Sequence, residues 1–248
     1  KMILISPAKK LNNQLVENEL NITKPVFLGE ANLIASELSK LTSNNLSKLM
    51  NVSAEIGQLN EQRYANWGQS KDSEKRAIFQ FEGDVYKYLN PLDMDDDDLQ
   101  YMNTRLRILS GIYGLLKPSD EMNPYRLEMG TKFQINGSKN LYQFWGDKIA
   151  KQLKSEFAGT YIFNLASDEY FLSVKQHLDM EKVLNFRFLT NKNGALKVIS
   201  FTAKKARGEM TRFLIKNRIE GIDGVEKFTA LGFRFSRFAD NQFEFIQD

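Results

Sequence analysis

The chain has 248 residues, 42% of them apolar, and a formal net charge of +3, which fits a globular protein and is slight for a nucleic-acid binder. The absence of cysteine excludes disulfides, thiolate catalysis and cysteine metal sites, and the single histidine disfavours imidazole-rich metal sites. We therefore expect no cofactor and no bound metal. No apolar run approaches the roughly 20 residues of a membrane span, and no signal peptide is visible, so we expect a cytoplasmic protein without a membrane partner.

Residues 2–6 (MILIS) form a short apolar run that predicts a buried strand. Pro7 ends this strand in a turn that carries Lys9 and Lys10. Residues 27–41 follow with the apolar spacing of an amphipathic helix. The first predicted strand therefore ends in two lysines, a pattern that recurs later in the chain.

Residues 46–60 (LSKLMNVSAEIGQLN) have the spacing of a helix-hairpin-helix, with Asn51 and Ser53 where glycines normally stand. Ser53 is also placed as the N-cap of the second helix. In that motif the hairpin amides and the second helix hold a DNA phosphate without reading bases. Asn51, Val52 and Ser53 are therefore candidate phosphate contacts, although Glu55 occupies a place where a lysine often helps. The alternative is an ordinary pair of packed helices.

The acidic run of residues 93–98 permits two interpretations. The acids could bind a metal, or they could favour the positive end of a helix over residues 99–109. The run lacks the ligand spacing of a calcium loop, which favours the helix.

Residues 106–130 are dense in glycine, proline and charge. They predict a long, ordered loop with a turn at Lys117 and an extended piece that presents Arg126. Within it, Gly111 and Gly114 indicate close approach of backbone segments. Residues 141–153 then predict one amphipathic helix.

Residues 161–166 (YIFNLA) predict another buried strand, which ends in Asp168 and Glu169. Two carboxylates at a strand end are candidates for acid–base catalysis. Capping of a following helix by Ser167 or Asp168 explains the same residues, and the sequence leaves both interpretations open.

Residues 196–218 change character twice, from a predicted strand over 196–203 to a basic turn and then to a helix. A solvated surface turn is the simplest interpretation of the basic residues. Gly208 favours an anion site instead, because a position without a side chain lets backbone approach a ligand. The cations of this segment are Lys204, Lys205, Arg207 and Arg212.

Two hairpins complete the prediction. Strands over 183–189 and 196–201 pair around residues 191–194, and residues 232–245 form a C-terminal hairpin around Asp240 and Asn241.

Several of these strings together resemble the YaaA family of bacterial peroxide-stress proteins: SPAKK at 6–10, LSGIYGLLKPSDEMNPYRLEMG at 109–130, QFWGD at 143–147, NLASDEY at 164–170 and FTAKKARG at 201–208. The resemblance extends from Met2 to the C-terminal hairpin. It implies a cytosolic α/β protein with a helix-hairpin-helix and a positively charged cleft. It also implies DNA binding, protection of DNA during hydrogen peroxide stress and an effect on free intracellular iron.

We therefore expect one domain over residues 1–248, with a mixed α/β (α+β) sheet flanked by helices and a helical hairpin subregion at about 30–67. The first functional hypothesis is binding of duplex or branched DNA through its backbone, without sequence readout. Besides the hairpin, its candidate contacts are Lys9, Lys10, Lys117, Arg126, Lys204, Lys205, Arg207 and Arg212.

The second hypothesis is an enzyme that acts on a small anionic or nucleotide-like ligand, because carboxylates that share a cleft with lysines suit catalysis better than DNA binding. Its candidate catalytic residues are Lys9, Asp168, Glu169 and Lys204.

Overall fold

A computed structural model describes residues 1–18, 20–69 and 75–248 of the chain. A mixed sheet flanked by helices forms its centre, which confirms the predicted α/β class. The strands are β1 (Met2–Ile5), β2 (Lys10–Leu11), β3 (Phe81–Glu82), β4 (Leu106–Ser110), β5 (Gly114–Leu116), β6 (Ile162–Asn164), β7 (Val183–Lys192), β8 (Ala195–Lys197), β9 (Arg234–Ala239) and β10 (Gln242–Gln247). The helices are α1 (Leu28–Leu38), α2 (Ser43–Met50), α3 (Ala54–Ala65), α4 (Ala77–Gln80), α5 (Asp84–Leu89), α6 (Asp96–Arg105), α7 (Leu141–Trp145), α8 (Lys148–Phe157), α9 (Asp168–Lys175) and α10 (Ser200–Lys216).

The large sheet has the strand order β5-β4-β1-β6-β7-β10-β9, and β8 pairs with the carboxyl end of β7. Strands β4, β1, β6, β7 and β10 run parallel to one another, whereas β5, β8 and β9 are antiparallel to their neighbours. Every residue of β1 and β4 is buried. The continuous apolar run in β1 follows from that burial, because a central parallel strand is covered on both faces.

The strand order reverses beside β1. The chain leaves β1 for β4 on one side and later returns to β6 on the other side. The register of Leu4 with Asn164 brings the carboxyl ends of β1 and β6 together. In open α/β sheets, ligands bind outside the strand ends at such a reversal.

Strand β4 corrects one prediction. The sequence predicts that residues 99–109 are helical, but α6 ends at Arg105 and β4 begins at Leu106. Arg107 gives the segment a helical polarity pattern although its side chain is buried. Its guanidinium lies 2.7 Å from Glu156 through Nε, and this ion pair allows a charged residue to occupy a central strand.

Helix α10 corrects a second prediction. The predicted strand at 196–203 extends only to Lys197, where β8 ends. The basic turn predicted at 204–208 is wrong, because α10 begins at Ser200 and contains these basic residues. Ala203, Ala206 and Met210 are buried at helical spacing, which the β-branched and aromatic residues before them obscured. Gly208 allows close helix packing rather than ligand approach, since a Cβ there would lie 2.3 Å from the Val85 carbonyl oxygen of α5.

The two predicted β-hairpins are present. β9 and β10 pair around Asp240 and Asn241, whose φ values of 51° and 56° suit a two-residue turn. β7 and β8 pair around the turn at Asn193, although β8 ends at Lys197. The single helix predicted at 141–153 is interrupted at Gly146, where φ is 50°, so the segment forms α7 and α8.

Helices α2 and α3 form an antiparallel pair that is joined by Asn51, Val52 and Ser53. Asn51 is left-handed, with a φ of 52°, and Ser53 accepts the Ile56 N–H as the predicted N-cap. Across the described ranges of the chain, no helix combines the length and apolar character needed to cross a membrane.

Candidate functional site

A cleft of about 870 Å³ opens at the carboxyl ends of β1 and β6. Its floor contains Ser6, which follows β1, and Ser167, which follows β6. The cleft therefore lies at the reversal of strand order, where the topology of the sheet predicts a ligand site.

Hydrogen bonds fix this floor. The Ser167 backbone N–H donates to Ser6 Oγ at 2.8 Å, and the two hydroxyl oxygens are 3.2 Å apart. The buried Tyr86 hydroxyl donates to the Ser6 carbonyl at 2.8 Å. Two strand ends and helix α5 are thus held together at the base of the cleft.

Glycine allows one wall to approach the sheet. A Cβ at Gly111 would lie 2.4 Å from the Leu127 carbonyl oxygen, so only glycine permits the segment 125–128 to pack there. Trp145 donates from Nε1 to the Gly111 carbonyl at 3.0 Å. The close approach predicted at Gly111 therefore positions Arg126 and Glu128 beside the cleft.

Five of the eight basic residues predicted as DNA contacts line this cleft, although they come from three separate segments. Lys9 and Lys10 follow β1, Arg126 lies in the wall, and Lys204 and Arg207 come from α10. Lys87 of α5 lines the cleft as well, although no pattern around it predicts a site residue.

Three of the predicted basic residues lie elsewhere. Lys117 lines a separate cavity of about 80 Å³. Lys205 places its ammonium 3.9 Å from the centre of the Phe201 ring. Arg212 bonds to the Asn90 carbonyl at 3.0 Å and to the Asp93 carboxylate at 2.7 Å, so it connects α10 to the segment after α5.

Acidic residues share the cleft with the cations. Glu128 lies 3.8 Å from Lys9 Nζ and 3.4 Å from Arg126 Nε, and Glu82 lies 3.2 Å from Lys10 Nζ. Glu169 also lines the cleft and accepts the Gly130 N–H at 3.0 Å. The cleft is therefore of mixed charge rather than uniformly basic.

Arg207 has an unusual environment within this cleft. Burial lowers the pKa of its guanidinium, and the charge of Asp168 partly opposes that effect. Within residues 1–18, 20–69 and 75–248, the guanidinium has no hydrogen-bond partner. A half-buried cation that lines a cleft without such a partner is available to a ligand anion.

Three of the four candidate catalytic residues line the same cleft. Lys9, Glu169 and Lys204 line the cleft, and Asp168 adjoins it through Arg207. Ser167 occupies the N-cap position of α9 but makes no side-chain capping bond, so the predicted cap is not formed. Asp168 and Glu169 lie in the first turn of α9, where acids favour the helix dipole, and their catalytic role stays a prediction.

The helical hairpin does not contribute to the lining of this cleft among the described residues. Its second helix is connected to the cleft wall, because Tyr64 donates to the Arg126 carbonyl at 2.8 Å. At the hairpin tip, the Glu55 carboxylate is exposed. Hydrogen bonds from the Ser53 hydroxyl and from the Glu55 backbone N–H lower its pKa. Glu55 therefore places a negative charge at the first turn of α3, the end of the helix that favours anions.

The acidic run forms the start of α6. Asp95 is the N-cap and accepts the Asp98 N–H at 2.8 Å. Asp98 is buried and pairs with Lys216 at 2.5 Å and with Arg218 at 2.8 Å. These contacts give the acids a structural role at a helix terminus.

Sequence comparison supplies the family. Residues 2–238 match the family model described as peroxide stress protein YaaA. The chain belongs to the YaaA family. Three relatives of this YaaA-family chain are named UPF0246 proteins. A relative from Clostridium beijerinckii is 38% identical over 253 residues, covering 99% of this chain and 96% of its own length. Relatives from Clostridium botulinum and Burkholderia mallei are also 38% identical, with coverage of 99% of this chain and 98% and 97% of theirs.

Proposed function

We propose that this YaaA-family chain binds DNA during peroxide stress and holds the phosphate backbone of duplex or branched DNA without reading bases. The observation that carries the proposal is the gathering of Lys9, Lys10, Arg126, Lys204 and Arg207 in one cleft. The small net charge of +3 does not oppose this role, because phosphate binding depends on local cation density. An effect on free intracellular iron belongs to the same proposal.

The rim of the cleft suits backbone contacts. The side chains of Lys9 and Lys10 are 70% and 76% exposed, so a phosphate can reach them without moving the chain. Lys10 and Glu82 form an exposed ion pair, which contributes little and exchanges readily for a phosphate partner. Lys9 lies 3.8 Å from the less exposed Glu128, a separation that leaves its ammonium able to turn to a phosphate. Binding then releases the counterions of each phosphate that is neutralised.

The helical hairpin is the second proposed contact. Asn51, which is left-handed, and Ser53, the N-cap of α3, form a tight turn before the first turn of α3. Backbone N–H groups in such a turn can bind a phosphate without a cationic side chain. Glu55 weakens this contact, so the cleft provides most of the proposed affinity.

Fluorescence anisotropy with a labelled duplex and a labelled four-way junction tests the proposal. Five phosphate contacts predict a slope of about −4.5 for log affinity against log salt concentration. The same slope with unrelated sequences is expected, because backbone contacts carry no base information. Absence of binding, or binding that salt does not weaken, would remove the proposal.

A second candidate is an enzyme that acts on a small anionic or nucleotide-like substrate. The acids of the cleft favour it, since Glu169 and Glu128 lie among lysines and arginines in a small concave site. In this role Glu169 is the base, and Lys9 or Lys204 is the nucleophile or stabilises charge.

Mass spectrometry of nucleoside phosphates and short DNA strands incubated with the chain tests this candidate. A new product that wild type forms and Glu169→Gln does not form would support it. Glu169→Gln is a suitable variant because its amide oxygen can still accept the Gly130 N–H. Unchanged spectra with every compound would contradict it.

A further inference from the structure

The interior of the cleft has aromatic walls and carboxylates that contacts to a DNA backbone leave unused. Its volume of about 870 Å³ falls in the range of small-molecule sites, which is about 300–1,000 Å³. A DNA duplex can contact the cations at the rim but cannot enter a space of this size. The interior therefore fits a smaller group.

The walls of the interior are aromatic. Tyr86, Tyr125 and Tyr170 line the cleft, and each is at most 7% exposed, so their rings are packed in fixed positions. Phe81 packs between two of them, with ring centres 5.3 Å from Tyr86 and 6.5 Å from Tyr125. Rigid aromatic walls of this kind favour a flat apolar ring over a flexible aliphatic chain.

The polar groups of the interior are of two kinds. Arg207 provides a cation without a hydrogen-bond partner in the described residues, and Lys204 lies one helical turn before it. Glu128 and Glu169 provide carboxylate oxygens, which accept hydrogen bonds from N–H and O–H groups. A ligand that satisfies both kinds carries an anion at one end and donors at the other.

We propose that the cleft binds a single nucleotide, with its phosphate at Arg207 and Lys204 and its base in the aromatic interior. The carboxylates accept hydrogen bonds from the base or the sugar hydroxyl. The nucleotide has two possible sources: a free nucleoside monophosphate, or an unpaired nucleotide of a DNA strand. The second source rests on the proposed function, because it requires that the chain binds DNA.

Two binding measurements test the proposal and separate the sources. Isothermal titration calorimetry uses deoxyadenosine 5′-monophosphate, with inorganic phosphate as the reference anion. Fluorescence anisotropy compares a fully paired duplex with the same duplex carrying one bulged adenosine. Arg207→Gln is the test variant. Lys204→Gln, whose wild-type side chain is exposed and lines the cleft, keeps the test valid if Arg207→Gln does not fold.

Lys154→Gln is the matched control. Lys154 is exposed in the last turn of α8, which leads into the start of β6 at the opposite edge of the sheet. Its removal changes the net charge as much as the test variants do. Binding by this variant should equal that of the wild type.

We expect the mononucleotide to bind at least tenfold more tightly than phosphate, and Arg207→Gln to lose at least tenfold of that affinity. If DNA is the source, the bulged duplex binds at least tenfold more tightly than the paired duplex, and the variant loses that preference. Equal affinity for both duplexes together with no mononucleotide binding would overturn the inference while leaving duplex binding intact. Mononucleotide binding no tighter than phosphate, without a bulge preference, would overturn it as well. Mononucleotide binding by a chain that binds no DNA would support the free source and contradict the proposed function.

Discussion

Ser6 Oγ accepts the backbone N–H of Ser167 at 2.8 Å, and this bond joins the carboxyl ends of β1 and β6. Ser6→Ala leaves that half-buried N–H without its acceptor, so we expect a loss of about 1 kcal/mol in the free energy of unfolding. Urea denaturation measures it. Ser155→Ala is the control, because its exposed hydroxyl bonds only to Gln152 of its own helix. Equal stability of the two variants would show that the Ser6 bond does not hold the floor of the cleft.

Gly208 allows α10 to pack closely on α5. In Gly208→Ala the new Cβ would meet the Val85 carbonyl oxygen at 2.3 Å, so we expect destabilisation of about 2 kcal/mol despite the better helix propensity of alanine. Gly29→Ala in α1 meets nothing within 4 Å and should stabilise the chain by about 0.5 kcal/mol. In thermal denaturation, Gly208→Ala should lower the melting temperature and Gly29→Ala should raise it. A stabilised Gly208→Ala would contradict the packing of these helices.

The sequence predicted those elements whose local pattern agrees with their environment. The buried run of residues 2–6, the N-cap at Ser53 and the turn at Asp240 and Asn241 all carry a local signal that the structure retains. β4 carried none, because the ion pair between Arg107 and Glu156 is a tertiary contact. Only that contact makes a charged residue acceptable in a central strand.

The candidate site was predictable in part for the same reason. Strand ends in a parallel sheet meet at one edge, which brought Lys9 and Glu169 to the same cleft. Lys204 and Arg207 were predicted to lie at a strand end, but they reach the cleft from helix α10. Lys87, Tyr86 and Glu128 had no sequence signal, because α5 and the wall at 125–128 reach the cleft only through packing.

Gln80 is 1% exposed, and its side-chain oxygen and nitrogen have no hydrogen-bond partner among the described residues. A buried amide without partners destabilises the fold, so we expect Gln80→Met to raise the free energy of unfolding by about 1 kcal/mol. Gln58→Met, at an exposed position of α3, should change it by less than about 0.5 kcal/mol. A loss of stability in Gln80→Met would mean that the amide is satisfied in solution.

Glu55 places its carboxylate at the first turn of α3, where the hairpin is proposed to bind phosphate. Glu55→Gln removes that charge, so we expect DNA affinity to rise about threefold at low salt. Glu181→Gln, which changes the charge equally beside the start of β7, is the control and should leave affinity unchanged. Anisotropy titrations compare the two. Equal affinities would show that DNA does not contact the hairpin.

Charge reversal at Lys204 tests the central claim, that the cations of the cleft hold DNA phosphates. Lys204 is exposed and lines the cleft, so Lys204→Glu should fold normally. Anisotropy should show affinity reduced by about tenfold for every duplex sequence and a salt slope that is smaller by about 1. Lys154→Glu, with the same charge change at the opposite edge of the sheet, should bind as the wild type does. Equal affinity of Lys204→Glu and Lys154→Glu for DNA would contradict the claim.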